Sequence, residues 1–181
     1  LLPETIYGSR QGDILYKGRS IIENPSIIKG KAGLILQNPA AQMLCRSVEE
    51  ELAFGLENQG KEPIEIKKTI QEWSERFGTG HLLKRKTDSL SGGEKQKTTL
   101  LSILMTNPEI LMLDEPTAFL DPQSAAEIMT IIKSMDIDKT LIFVEHNLQY
   151  LRDLIDRNLH LESQGYVIDR AATAICWTPQ L

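Results

Sequence analysis

An α/β fold, with a parallel sheet covered by helices and a separate helical lobe, is what this sequence predicts. In the second half of the 181-residue chain, apolar strand-like runs alternate with helical segments, the pattern of strand–helix–strand units that builds parallel sheets. The block from about 43 to 105 is instead helical. Finally, Ile110-Leu-Met-Leu113 is an apolar run that ends on adjacent carboxylates, Asp114 and Glu115, and ligands collect at the carboxyl edge of such sheets.

Each element has a local reason. Gly12 to Gly18 alternates apolar and polar residues between glycines and predicts a short exposed strand entering a Lys17-Gly18 turn. Gly33 to Gln37 is a compact apolar run, a buried strand stopped by Asn38-Pro39. Ser47-Val-Glu-Glu50 is a capping box, with acids at the positive helix end. Ile66, Ile70, Trp73 and Phe77 mark one face of a helix from Glu65 to Phe77. A further helix is expected from Gly92 to Met105, then a strand from Glu109 to Asp114. Pro122 opens a helix to about Met135, since proline suits a first turn. Lys139 to Glu145 reads as a strand, Leu148 to Ile155 as a short helix, and Asn158 to Leu161 with Tyr166 to Asp169 as a closing hairpin.

Composition narrows the function. With 41% hydrophobic and 25% charged residues the chain can bury a core. A net charge of −5 argues against a nucleic-acid partner, whose binders carry a basic excess. Cys45 and Cys176 lie far apart without a CxxC, so reduced thiols are expected. No apolar run approaches the ~18 residues of a membrane span, and the start shows neither a signal-peptide pattern nor an initiator Met.

Two segments carry chemistry. In Leu90-Ser91-Gly92-Gly93-Glu94, a serine and two glycines head a helix, presenting unhindered N–H groups with the positive dipole end behind them. That suits a phosphate, and it also suits a plain N-cap. The Asp114-Glu115 pair offers one acid to help hold Mg²⁺ through its water shell and another to polarise an attacking water. Gln37 ends a buried strand where its amide could reach a metal or that water. Asp121 stands where an N-cap would, shortly after the acid pair, and His146 follows the Leu141 to Val144 strand on the same edge as Glu115. His81 and His160 have no such context.

These segments resemble the nucleotide-binding subunit of ABC transporters. Gln37 is similar to the family's Q-loop, Leu90 to Glu94 to its signature, Ile110 to Glu115 to Walker B, Ala118 to Asp121 to the D-loop, and His146 to the switch histidine. The resemblance covers nearly the whole chain. It implies a RecA-like P-loop NTPase core with part of an antiparallel β subdomain, and a helical subdomain at approximately 43–105 between α/β core portions 1–42 and 106–181. Gln37-Asn-Pro39 through Gln42, and Ser47 to Asn58, resemble the energy-coupling factor and cobalt-type ATPases. Those are cytoplasmic-face subunits that power vitamin or metal-ion uptake with a transmembrane scaffold and a substrate-binding membrane protein.

In the family two ATPase domains pair head to tail around ATP. The resemblance therefore implies that Ser91, Gly92 and Gly93 meet nucleotide bound by a partner, and that Asp121 belongs to the nucleotide-binding residues. It likewise implies Glu115 as general base, Asp114 and Gln37 at Mg²⁺, and His146 on the γ-phosphate. One motif departs: nothing matches GxxxxGK[ST], and Gly30-Lys31 is followed by Ala32 with Pro25 in place of the first glycine. The sequence is thus expected to be part of a longer ATPase, with apolar faces of the Ile110 and Leu141 strands left uncovered. Lys97, where relatives often carry Arg, reads as a change on a helix surface. Two other readings stay open: a non-hydrolysing half that pairs with an intact ATPase, and a DNA- or ribosome-associated ABC protein. The short span from Gln37 to Leu90 leaves no room for the long insertions of the DNA-repair members.

Overall fold

A computed structural model describes residues 12–135, 139–145, 151 and 154, together with the backbone of strands at 158–161, 167–170 and 175–177. The chain opens on a hairpin, β1 (Leu15–Tyr16) and β2 (Arg19–Ser20). Its turn falls on Lys17 and Gly18, at φ 50° and 76°, the left-handed pair that matches the twist of a tight hairpin. The expected strand is thus only its last two residues, and its return strand β2 was not foreseen.

β3 (Ala32–Ile35) follows. Asn38 accepts from the Ala40 amide and starts a 3-10 turn over Pro39–Ala41. This turn brings Gln42 back along β3, where its amide accepts from Leu36 N (2.7 Å) and donates to Leu34 O (2.9 Å). A side chain thereby satisfies backbone groups of an edge strand that would otherwise need another strand.

Three helices come next: α1 (Val48–Asn58), α2 (Pro63–Arg76) and α3 (Gly92–Leu104). α1 has the expected Ser47–Glu50 capping box. α2 buries Ile66 and Ile70 and half-buries Trp73 and Phe77, as their spacing predicts. α1 and α3 approach closely because residue 55 is glycine: a Cβ there would stand 2.6 Å from Thr106 Cγ2. Gly33 does the same for β3 and α3, since its Cβ would meet Ile103 Cγ2 at 2.4 Å.

β4 (Ile110–Asp114), α4 (Pro122–Lys133) and β5 (Thr140–Val144) complete the framework. A parallel sheet runs in the order β3-β4-β5-β8, with β8 at Ile175–Trp177, a short strand that the sequence pattern did not announce. β6 (Asn158–Leu161) and β7 (Val167–Arg170) form the expected antiparallel hairpin. The helix expected over Leu148 to Ile155 falls almost wholly outside the described residues.

Of the two faces of the sheet expected to be uncovered, one is fully buried and the other partly buried. Ile35, Leu111, Leu113 and Phe143 are at most 1% exposed, because α3 and α4 contribute to one continuous core with them. On the alternate positions Leu34, Ile110, Met112 and Ile142 are only half-buried. Among the described residues no helix is long and apolar enough to cross a membrane.

Glu109, at the amino end of β4, ties the first hairpin to the sheet. It accepts from Tyr16 Oη and Lys17 Nζ, both at 2.6 Å, and pairs with Lys31 at 2.9 Å. The Lys17 ammonium first, then the Lys31 ammonium and the Tyr16 hydroxyl, hold its carboxyl down at about 2. A carboxylate whose folded value is depressed contributes its stability above its unfolded value near ~4.3 and loses it as pH falls through about 2. Denaturant titrations of wild type and Glu109→Gln should therefore differ constantly above pH ~5 and converge toward pH ~2.

Candidate functional site

Strand register assembles the first group of residues. Ile35 pairs with Leu113, and Asp114 with Val144, in parallel. Continued past the strand ends, this register sets Gln37 opposite Glu115, and Gln37 Nε2 donates to Glu115 Oε2 at 2.7 Å. Glu115 has φ 45°, a left-handed conformation unusual for glutamate. Its N–H donates to Val144 O at 2.7 Å, which turns the chain off the end of β4. Gln37 and Glu115 are thus brought together, with Asp114 next to Glu115 along the chain.

Burial first, then the neighbouring Glu115 charge, raises the Asp114 carboxyl above its ordinary value. Two adjacent acids, one partly desolvated, are a place where a cation would relieve both costs. Among the described residues no cluster of three or more His, Cys, Asp or Glu is arranged to hold a metal alone. Mg²⁺ does not require one, since it binds through one or two carboxylates, waters and phosphate oxygens. The donor set of Asp114 with the Gln37 amide oxygen therefore fits that ion. His146, expected on the same edge, lies outside the described residues.

The second group sits where α3 and α4 begin. Ser91 caps α3: its Oγ accepts from Glu94 N, and its own N–H donates to Glu94 Oε2 at 2.7 Å. Glu94 is in turn gripped by Arg85 Nη1 at 2.7 Å, while Arg85 Nη2 donates to Ser89 O at 2.6 Å. The backbone N–H of Ser91, with help from Arg85, holds the Glu94 carboxyl below its usual range. With Ser91 and Glu94 amides occupied by the box, those of Gly92 and Gly93 remain as first-turn donors without an intrahelical acceptor. These two N–H groups, backed by the helix dipole, are the arrangement an anion needs.

The two glycines have different reasons to be glycine. A Cβ on Gly92 would meet nothing within 4 Å. On Gly93 it would stand 2.6 Å from Ser124 Oγ. Ser124 is one partner of the α4 cap: Asp121 Oδ1 accepts from Gln123 N and Ser124 N, and Oδ2 from Ser124 Oγ at 2.6 Å. Those hydrogen bonds, Ser124 Oγ foremost, pull the Asp121 carboxyl below its ordinary value. Asp121 is therefore the N-cap, joined through Ser124 to Gly93.

Lys97 is not a free surface residue, contrary to the sequence reading. Its ammonium pairs with Glu127 Oε2 at 2.9 Å and ties α3 to α4 again, one turn along. A cleft of about 170 Å³ lies beside these contacts, lined by Thr79, His81, Lys97 and Glu127. Arg85, Ser124 and Glu127 went unrecognised in the sequence. The spacing Ser91-x-x-Glu94 was the available signal for the box, whereas Ser124 and Glu127 act across helices and left none.

The segment after Gln37 is stitched to the segment before Ser91 by Thr87 Oγ1 to Cys45 O (2.7 Å), Thr87 N to Arg46 O (3.0 Å) and Val48 N to Arg85 O (3.1 Å). The glycine asymmetry is testable by thermal unfolding. Gly93→Ala forces Ser124 aside at a cost of about 1–3 kcal/mol and should lower Tm by several degrees. Gly92→Ala should leave Tm unchanged or slightly raised.

Comparison with known proteins places these segments in a family. The family model described as ABC transporter matches residues 2–118. The energy-coupling factor transporter ATP-binding protein EcfA1 of Latilactobacillus sakei is 36% identical over 168 residues, 91% of this chain and 59% of that protein. The structure of cbiO1 from Clostridium perfringens, described as part of the ABC transporter complex cbiONQ, superposes with TM-score 0.76 at 30% identity over 90% of this chain and 66% of that one. The ATP-binding cassette MJ0796, in a dimeric structure with ADP and Pi, shares the fold with TM-score 0.76 at 21% identity, over 89% of this chain and 73% of its own. The chain spans between 28% and 59% of the length of such curated relatives. A match that runs through Gln37, the glycine-headed helix and the acid pair shows that this chain belongs to the ABC transporter family of ATP-binding proteins.

Proposed function

We propose that this chain is part of the ATP-binding and ATP-hydrolysing subunit of an energy-coupling factor type importer, serving the uptake of a vitamin or a metal ion. The observation that carries the reading is the 2.7 Å hydrogen bond from Gln37 to Glu115 beside the partly desolvated Asp114. In this reading the helical subdomain spans approximately 43–105, and residues 1–42 and 106–181 are the α/β core portions. The relatives named for energy coupling, and the cbiO1 protein described as part of cbiONQ, support a peripheral place on the cytoplasmic membrane face. The partners would be a transmembrane scaffold, a substrate-binding membrane protein and a second ATPase domain.

The residues divide the work of phosphoryl transfer, which is mostly positioning and electrostatics. Glu115 accepts a proton from the attacking water while Gln37 fixes its carboxylate. As water oxygen bonds to the γ-phosphorus, the bond to the ADP oxygen breaks. Asp114 and the Gln37 amide oxygen would hold Mg²⁺, which neutralises phosphate charge when bound. Gly92 and Gly93 offer their N–H groups to the γ-phosphate of nucleotide held by the partner domain, with Ser91 and Asp121 beside them. His146 is assigned to the same phosphate.

A second reading is a half that pairs with an intact ATPase without hydrolysing. Glu115→Gln in the complex purified with its native partners separates the two. The motor reading expects ATP turnover to fall on the order of 100-fold or more with nucleotide binding retained. Unchanged turnover establishes the non-hydrolysing half instead.

A further inference from the structure

We infer that Glu145 is a positioning residue for the turn that carries Glu115, acting through Thr117; the inference rests on the role proposed for Glu115. Glu145 is only 4% exposed and Thr117 8%, and Thr117 Oγ1 donates to Glu145 Oε2 at 2.7 Å. Among the described residues this is the only hydrogen bond between two side chains that is buried outright. Burying a carboxylate is costly unless it makes strong hydrogen bonds.

The turn it grips is strained. Glu115 at φ 45° and Phe119 at φ 60° both adopt the left-handed region without being glycine, and Phe119 is 93% exposed, so burial does not compensate its strain. Such conformations persist only where surrounding contacts over-determine them. The contacts here are Glu115 N to Val144 O (2.7 Å), Ala118 N to Glu115 O (3.0 Å), Leu120 N to Thr117 O (3.3 Å) and the Thr117–Glu145 bond. Two of the four anchor the turn to the end of β5, one through backbone and one through the Glu145 side chain. Without the side-chain anchor the turn loses one of its two hydrogen-bonded ties to the end of β5, and the Glu115 carboxylate is held less firmly against Gln37.

The test uses the complex purified with its native partners. Thr117→Val keeps the shape and removes the hydroxyl; it should lower kcat on the order of 10- to 100-fold with the KM for ATP within about twofold. Thr117→Ser, which restores the hydroxyl, should recover kcat to within about threefold. Adding Glu145→Gln to Thr117→Val should cost less than the sum of the two single losses, because the bond they share can be lost only once. Equal losses in Thr117→Ser and Thr117→Val, or losses that add in the double variant, overturn the inference. Amide hydrogen exchange without nucleotide provides a reading independent of turnover. Thr117→Val should speed exchange at Glu115, Ala118 and Leu120 by about fivefold or more, and unchanged exchange overturns the inference. Failure of the Glu115 reading shows separately, as turnover insensitive to Glu115→Gln.

Discussion

Parallel pairing of β3 with β4, and of β4 with β5, decides where every reactive group at the sheet edge stands. Ile35 opposes Leu113 and Asp114 opposes Val144, so Gln37, Glu115 and Glu145 leave their strands at the same level. Side chains alternate along a strand, so a slip of one residue would turn Leu111 and Leu113 out of the core. Their complete burial makes that slip expensive and so protects the register. The geometry at the edge inherits its precision from the packing behind it.

The helices hold the other half of the arrangement by close approach rather than by burial alone. Gly33, Gly55 and Gly93 each sit where a methyl group would overlap a neighbour, which brings α3 against β3, α1 and α4 in turn. Gly92 stands at the same helix end with open space before it. A position that tolerates a side chain within its own chain, yet offers an unused N–H, is suited to contact with something outside the chain. Structure thus separates two glycines that the Ser-Gly-Gly sequence presents as equivalent.

Buried polar groups follow a consistent logic. Glu51, 6% exposed, accepts from the amides of Leu44 and Cys45 and so shapes the passage from β3 to α1. Glu145 holds Thr117 at the far side of the same edge. Each carboxylate lies beside a segment that must leave a regular element and turn, where backbone groups lack regular partners. Irregular backbone around the site is therefore held by acids from the regular elements next to it.

Much of this was legible from residues in order. The Ser47 capping box, the α2 stripe at Ile66 and Ile70, the proline-headed α4 and the apolar run into Asp114-Glu115 are local patterns. Local patterns are what helix caps and strand alternation obey. They were enough to predict the parallel sheet and to pick out Gln37, Ser91 and the acid pair. What only the tertiary structure decided depends on contacts between distant segments. Gln42 completes the β3 edge, Lys97 reaches Glu127, Ser124 meets Gly93 and Thr117 meets Glu145. No local period encodes such partners, because their closeness follows from how helices and strands pack and not from spacing along the chain. The sequence by itself thus determined which groups could do the chemistry, and tertiary packing decided how each is held.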